Sequence, residues 1–384
     1  MQRQNCRFLK AGLVIAAAIV FVASTSTFMA AQSEAAKAIY DASATVATNI
    51  AGIRTFNAPP AHFNPLTASE EDNALYGFPP RPDPQKDAAG YAKWARAMSH
   101  PQRRWNGNLK VTDFQSQPAR AAKAPSGASS DISAVPTTKY FYNWSGVINT
   151  NALTKYNGTG GSYYYVISDF NVPVAQQAFG GVCDGGWDLE VSWNGIDGYK
   201  NGNALLQGGS YSGAYCSGSS RATSYFAWFE WWPAYSIIAA YNVNPGDDMF
   251  VETWDTSSTN GYVYLYDETL NYANTYNITS NGGPGLIGNS AEYIVERPCC
   301  RSGFNYPLAN YVQDFWTENF AYSFYNYNHS LPTPAYSGST SPSTVNAIMV
   351  NDQDSQSISY SVTGGKYDLV FYDENCAYSG GCTP

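Results

Sequence analysis

The chain has 384 residues, a formal net charge of −9 and 44% hydrophobic residues, enough apolar material for one sizeable core. Only 13% of its residues are charged, with acids outnumbering bases, which excludes nucleic acid and anionic membranes as natural partners. Of the three histidines only His329 lies in the region after Lys139, which leaves no multi-histidine metal centre there, and the cysteine spacing contains no CxxC pair, so no metal or other cofactor is expected.

Arg3, Arg7 and Lys10 precede an apolar run from Ala11 to Ala23 that is too short to span a bilayer. This predicts a signal peptide over residues 1–31, with small residues at Ala30 and Ala31 near the cut, and hence a secreted protein free of the membrane once the signal is removed. Cys6 leaves with that leader. Cys183, Cys216, Cys299, Cys300, Cys376 and Cys382 remain, an even set suited to disulfides in an exported chain. Cys376 and Cys382 enclose a short Gly-rich loop and are expected to pair, and Cys183 with Cys216 is a second candidate pair. The adjacent Cys299 and Cys300 either form a vicinal bridge or stay reduced.

Residues 32–138 are rich in Pro and Ala and short of strand patterning, which predicts a poorly structured prosegment and linker. Thr67 and Glu70 stand in capping-box relation at a helix start, Phe78-Pro79-Pro80-Arg81-Pro82 is an extended element, and Tyr91, Trp94, Ala95 and Met98 mark a second helical patch. Gln115 to Pro136 has the composition of a disordered linker. Among the bases here are Arg81, Lys86, Lys93, Arg96, Arg103, Arg104, Lys110, Arg120 and Lys123, and they outnumber the acids. Such a segment is expected to lie over an acidic domain at neutral pH, with the Phe78–Pro82 stretch in a cleft, and to leave in acid. A spacer to a cell-surface attachment is the alternative.

From Lys139 the composition turns to Tyr, Trp, Gly, Asn and Ser. Strands are predicted over residues 163–170, 249–254, 262–266, 345–350, 356–362 and 367–372, with Gly364-Gly365 turning the last pair into a hairpin. Residues 139–384 are therefore expected to form one all-β, antiparallel two-sheet sandwich.

Within it, Ala291-Glu292-Tyr293-Ile294-Val295-Glu296 reads as a strand with Glu292, Ile294 and Glu296 on one face, and with Ala291, Tyr293 and Val295 free to enter a core on the other. Strand rise sets the two glutamates about 13 Å apart, too far to act as one dyad. In the 226–232 strand, Phe226, Trp228, Glu230 and Trp232 share a face, so the Glu230 carboxyl sits among aromatic rings that raise its pKa by desolvation. Gln207 precedes Gly208-Gly209, where missing side chains would let a substrate backbone come close. Only His329 among the histidines lies in the strand-rich region, without a nucleophile-elbow motif, so a Ser-His-Asp triad is disfavoured. A carboxylate-only calcium site at residues 351–354 would lack EF-hand spacing. Acid–base chemistry falls to carboxylates and amides.

Three stretches appear in order: Trp193-Asn194-Gly195-Ile196-Asp197-Gly198 with Leu205-Leu206-Gln207-Gly208-Gly209, then Ala227-Trp228-Phe229-Glu230-Trp231-Trp232-Pro233, then Ala291 to Glu296. Together they resemble the eqolisins, glutamic peptidases that use a Gln and a Glu in place of the two aspartates of pepsin-like enzymes. The similarity runs from about Asn143 to Asp354. It implies a concanavalin-like sandwich and a secreted, acid-acting endopeptidase, expected to be a monomer with polypeptide substrates. It also implies a catalytic pair, Gln207 and Glu296, with Trp193, Asp197, Trp228 and Glu230 in substrate-binding or supporting places. Departures from the family pattern stand at Tyr211 and Phe226, both usually Asp, and at Arg297 and Pro298. An aromatic-rich sandwich with two carboxylates also suits sugars, so a carbohydrate-binding or glycoside-hydrolysing protein is the alternative. Gln207 separates the two, since a glycosidase has no use for it.

Overall fold

The computed structural model describes residues 45–126 and 136–373, apart from 86, 158–160, 179, 201–202, 302, 324–334, 339–340 and 342. Two expectations fall outside the described residues: the signal peptide with its cleavage point, and the Cys376–Cys382 pair. His329 lies outside them too. No helix among the described residues is long and apolar enough to cross a membrane.

Nineteen strands of the described chain hydrogen-bond into one network. One arm runs through Tyr272–Thr279, Asn260–Asp267, Asp248–Ser257, Tyr163–Asn171 and Gln313–Ser323. The network then passes by way of Leu369–Asp373, Ser357–Thr363 and Thr344–Val350. The second arm follows: Trp144–Thr150, Ser290–Glu296, Asp184–Ile196, Leu205–Ser217, Ser220–Trp232 and Ile238–Asn242. Pairing is antiparallel except where Thr137–Phe141 lies parallel to Thr344–Val350.

Strand alternation decides what each arm buries. Val166, Val251, Val263 and Leu265 of the first arm share one apolar cluster with Leu206, Phe229, Trp231, Ala291, Tyr293 and Val295 of the second. The two arms therefore face each other across a common core. The opposite phase of the second arm, with Trp193, Tyr211, Phe226, Trp228 and Ile294, makes a separate aromatic cluster on its outer face. Those are the faces expected for the 226–232 and 291–296 strands. Gly208 and Gly209 owe their place to packing rather than to substrate access: a Cβ at Gly208 would strike Val263 of the facing arm, and one at Gly209 the Ser192 carbonyl. Cys183 is bonded to Cys216, closing the hairpin that carries Trp193 and Gln207, and Cys299 is bonded to Cys300.

The expectation of a poorly structured segment before residue 139 is overturned for residues 45–126. Arg54–Phe56 pairs with the Tyr272–Thr279 strand, and Thr45–Ala47 pairs with Arg54–Phe56. A short helix, Glu70–Leu75, is capped by Ser69 rather than Thr67, the Ser69 hydroxyl accepting from the Asp72 amide. Helix Ala88–Met98 is capped by Asp87 and lays Trp94, Ala97 and Met98 on the outer aromatic face of the first arm, where Tyr165, Phe250, Trp254, Tyr264 and Tyr322 are buried with them. Phe78–Pro82 packs there as well, the Pro79 carbonyl accepting from Trp94 Nε1 at 3.2 Å and the Arg81 guanidinium stacking on the Trp94 ring. It is therefore not in a cleft, contrary to expectation, because its apolar side chains find a larger apolar surface on this face.

Charge reinforces the docking. Arg96 meets Asp169 at 2.5 Å, Glu268 at 2.7 Å and Glu318 at 3.2 Å, and Lys93 meets Glu318 at 3.3 Å. Arg96 keeps about a third of its surface in water, so each such pair contributes roughly 1 kcal/mol or less. Burying Trp94 completely contributes several times that, about 3–5 kcal/mol by the cost of removing such a ring. Loss of the ion pairs in acid does not suffice to free this lobe.

Candidate active site

The outer face of the second arm is where the predicted residues converge. Register sets Gln207 opposite Glu230 on one side and opposite Gly195 on the other. Glu296 lies across from Val191, two residues along the strand from Trp193, and its other neighbour is Trp144. All of these carboxyl and amide groups are buried. Trp193 Nε1 donates to Glu296 Oε2 at 2.9 Å, and Gln207 Nε2 donates to Glu230 Oε2 at 2.8 Å. Glu230 thus fixes which way round the Gln207 amide stands, with Oε1 turned toward Glu296 and one N–H still to give.

The space between Gln207 and Glu296 is filled by Ser116, from the stretch expected to be a disordered linker. Its hydroxyl sits 3.2 Å from Gln207 Oε1 and in hydrogen-bond contact with Glu296 Oε2. Its amide points at Glu230 Oε2 (3.3 Å), and the Gln117 amide donates to Glu296 Oε1 at 2.9 Å. The segment is ordered because the cleft supplies partners for its backbone. Gln115 exchanges two hydrogen bonds of 2.7 Å with Cys299, the Phe114 carbonyl accepts from Ile237 at 3.1 Å, and Ala119 donates to the Gly198 carbonyl at 3.0 Å. We call residues 110–122 the strap, since it runs from the edge strand Ile238–Asn242 across the cleft to Tyr140 and Tyr142.

Burial raises the pKa of both carboxyls. Glu296 is pushed up to about 8 by desolvation, against the hydrogen bonds from Ser116, Gln117, Trp193 and Asn143 that favour its charged form. Glu230 is raised well above its ordinary value by desolvation and then by the charge of Glu296. Proton counting agrees: a serine hydroxyl carries one hydrogen, and it satisfies both Gln207 Oε1 and Glu296 only if the carboxyl is protonated and donates to it.

Asn143 belongs to this site although the sequence reading gave it no role. Its Nδ2 lies 3.4 Å from Glu296 Oε1 and 3.2 Å from the carbonyls of Gln117 and Pro118. The available signal was its position just before Trp144, the register partner of Glu296. Ser116 had a fainter one, the lone aromatic Phe114 in a stretch otherwise poor in apolar side chains.

Two expected site residues do not reach the centre. Trp228 packs in the aromatic cluster behind the dyad without hydrogen bonding to it. Asp197 turns away: with φ of 71° it ends the Trp193 strand, and its carboxylate accepts from the amides of Gly288 at 2.9 Å and Asn289 at 2.8 Å, and also from Ile287. It is an anchor for the loop at residues 287–289. Asp197→Ala is therefore expected to lower stability by about 3 kcal/mol, because buried amides lose their acceptor, and to leave peptide affinity unchanged. Thermal melting together with steady-state kinetics checks both halves. Glu292, on the same face as Glu296, is fully buried with no hydrogen-bond partner for either oxygen and stays apart from the dyad. At residues 351–354, Asp352 pairs with Arg297 at 2.7 Å and Asp354 accepts from Lys123 and Tyr142, so protein donors already use these carboxylates.

Comparison with known proteins adds the following. Residues 142–329 match the family model described as Peptidase A4 family. The chain is 28% identical over 172 residues to aspergillopepsin-2 of Aspergillus niger, covering 41% of this chain and 56% of that protein. It is 27% identical over 150 residues to scytalidopepsin B of Scytalidium lignicola, covering 39% and 55%. The chain thus spans about half the length of the curated relatives it matches. A crystal structure of scytalido-glutamic peptidase with a transition state analog inhibitor aligns at a TM-score of 0.46 and 20% identity, over 60% of this chain and 98% of that one.

Proposed function

We propose that this chain is a secreted glutamic endopeptidase, acting in acid, whose catalytic pair is Gln207 and Glu296, a reading supported by the match of residues 142–329 to the Peptidase A4 family model. The observation that carries this reading is the convergence of Gln207 Oε1 and Glu296 Oε2 on the single hydroxyl of Ser116. That oxygen stands where an attacking water would be held. In the uncovered site, Glu296 as a carboxylate takes one proton from the water, whose oxygen bonds to the scissile carbonyl carbon while the carbonyl electron pair moves onto its oxygen. The free N–H of Gln207 donates to that oxyanion. Collapse breaks the C–N bond, and Glu296 returns the proton to the leaving nitrogen. Glu230 orients the amide, and Trp193 and Asn143 position the carboxylate.

The strap is the inhibitory part of the prosegment in this reading. It fills the cleft with a peptide backbone and puts a serine oxygen in place of water. A peptide lying across the site also favours peptide over sugar as the natural ligand. We read the two facing arms as the layers of a concanavalin-like sandwich, with residues 139–384 as the peptidase domain. The test is hydrolysis of a denatured protein after acid incubation, at about pH 2 to 5 where carboxylates change charge, with pepstatin present. Pepstatin-resistant hydrolysis is expected, and its absence throughout that range would overturn the assignment.

A further inference from the structure

The strap shows more than occlusion, because its register relative to the dyad is fixed. The Gln117 amide donates to Glu296, the group that protonates a leaving nitrogen, so the Ser116–Gln117 bond occupies the reacting position. Two residues earlier, the Phe114 ring enters a slot on the same face. It stacks on Tyr211 at 5.3 Å between centroids and 23° between planes, and meets Tyr306 edge-on at 5.4 Å and 81°. Tyr211 is in turn stacked on its cross-strand partner Phe226 at 4.2 Å and 11°. The slot floor is thus a cross-strand pair of flat rings in the same register as the Gln207–Glu230 pair, four residues after Gln207 on one strand and four before Glu230 on the other.

Resting on the peptidase reading, we propose that this cleft selects substrates with an aromatic side chain at the third residue before the cleaved bond, and that Tyr211, Tyr306 and Phe226 determine that choice. The backbone bonds made by Phe114 and Gln115 to Ile237 and Cys299 accept any residue and so carry no sequence information. The other strap side chains beside the dyad offer little to choose by. Gln115 Nε2 reaches Ser236 only at 3.4 Å, and Gln117 Nε2 approaches the Cys300 sulfur at 3.5 Å. The Phe114 slot has defined ring geometry on two sides, which rewards a flat π surface over an aliphatic chain of equal size. Tyr211 and Phe226 are also the two positions where this chain replaces an expected acid with a ring. A cationic side chain that two acids would welcome here loses its partners.

The experiment is mapping of cleaved bonds in a peptide library by the acid-incubated full chain, followed by kinetics on peptides that differ only at that position. Phe, Tyr or Trp is expected to exceed Ala by about tenfold to a hundredfold in kcat/KM, mainly through KM. Tyr306→Ala should shrink that ratio below about threefold, and Phe226→Leu should shrink it in part. A second measurement needs no activity: amide exchange at Gln115 to Gln117 in the full chain should rise at least about tenfold in Phe114→Ala and stay protected in Phe114→Tyr. Hydrolysis without aromatic enrichment at that position, or unchanged exchange in Phe114→Ala, would overturn the slot. A chain that hydrolyses nothing yet shows the expected exchange would uphold the slot and sink the peptidase reading instead.

Discussion

Glu296→Gln is expected to give a chain that folds but hydrolyses denatured protein at least about 10² to 10³ times more slowly, and Gln207→Ala should fall by a similar factor. The reasons differ. Glutamine at 296 keeps the volume and the hydrogen bond from Trp193 Nε1, but it cannot take a proton from water. Its neutrality matches the protonated state that burial already favours for Glu296 beneath the strap, so folding should not suffer. Alanine at 207 removes both the acceptor that holds the water and the donor that meets the oxyanion. Glu230→Gln still fills the site and should cost less, about tenfold, through looser orientation of the amide. Single-turnover kinetics at saturating peptide, with melting curves for each variant, separate chemistry from folding. Turnover near that of the parent in either Glu296→Gln or Gln207→Ala would remove the pair from the mechanism.

Stability should fall steeply as pH rises. Away from the dyad, Glu190, Glu252, Asp255, Glu292 and Asp314 are all buried, and desolvation raises each above its ordinary pKa, Asp314 to about 7. Glu190 and Asp314 are bridged by the Ser192 hydroxyl, and each has one oxygen without a hydrogen-bond partner. A carboxyl with a folded pKa above its unfolded one binds more protons folded than unfolded. Its full benefit is therefore present below about pH 4 and is lost as pH climbs through the folded value. Each such group costs up to about 1.4 kcal/mol per pH unit inside that window. For Asp314 the window runs from about pH 4 to 7. Several groups acting together can consume the 5–15 kcal/mol typical of a domain. Calorimetry on the Glu296→Gln chain between pH 4 and 8 should show Tm dropping by tens of degrees, and Glu190→Gln should flatten the slope. A Tm that is level or rising over that range would refute the argument.

Much of this was legible because strand alternation is a local code. The 226–232 and 291–296 strands put their residues on the expected faces, and the later strands fell where turn residues bracket them. What escaped depends on partners distant in the chain. Residues 115–124 have a linker's composition and become ordered only because Cys299, Gly198, Tyr140 and Asn143 meet their backbone. Phe78–Pro82 carries no mark that distinguishes a cleft ligand from a buried buttress. Asp197 sits in a segment shared with true site residues, yet one backbone angle sends its carboxylate elsewhere. The Glu190–Ser192–Asp314 bridge joins residues more than a hundred positions apart.

The docking of residues 45–109 decides what would remain if the strap were cut, as the proposed function expects. This lobe adds Arg54–Phe56 alongside the Tyr272–Thr279 strand, the outermost strand of its arm, and roofs the rings of Tyr165, Phe250, Trp254 and Tyr264. A chain trimmed to begin near residue 139 would bare both at once: a row of unpaired backbone groups and a wide aromatic surface beside it. Such an edge templates strand addition by a second molecule, and the apolar area promotes it. On the proposed reading, a chain cut in the strap is therefore expected to keep the lobe docked as a separate polypeptide, which size-exclusion chromatography of the acid-incubated chain would check.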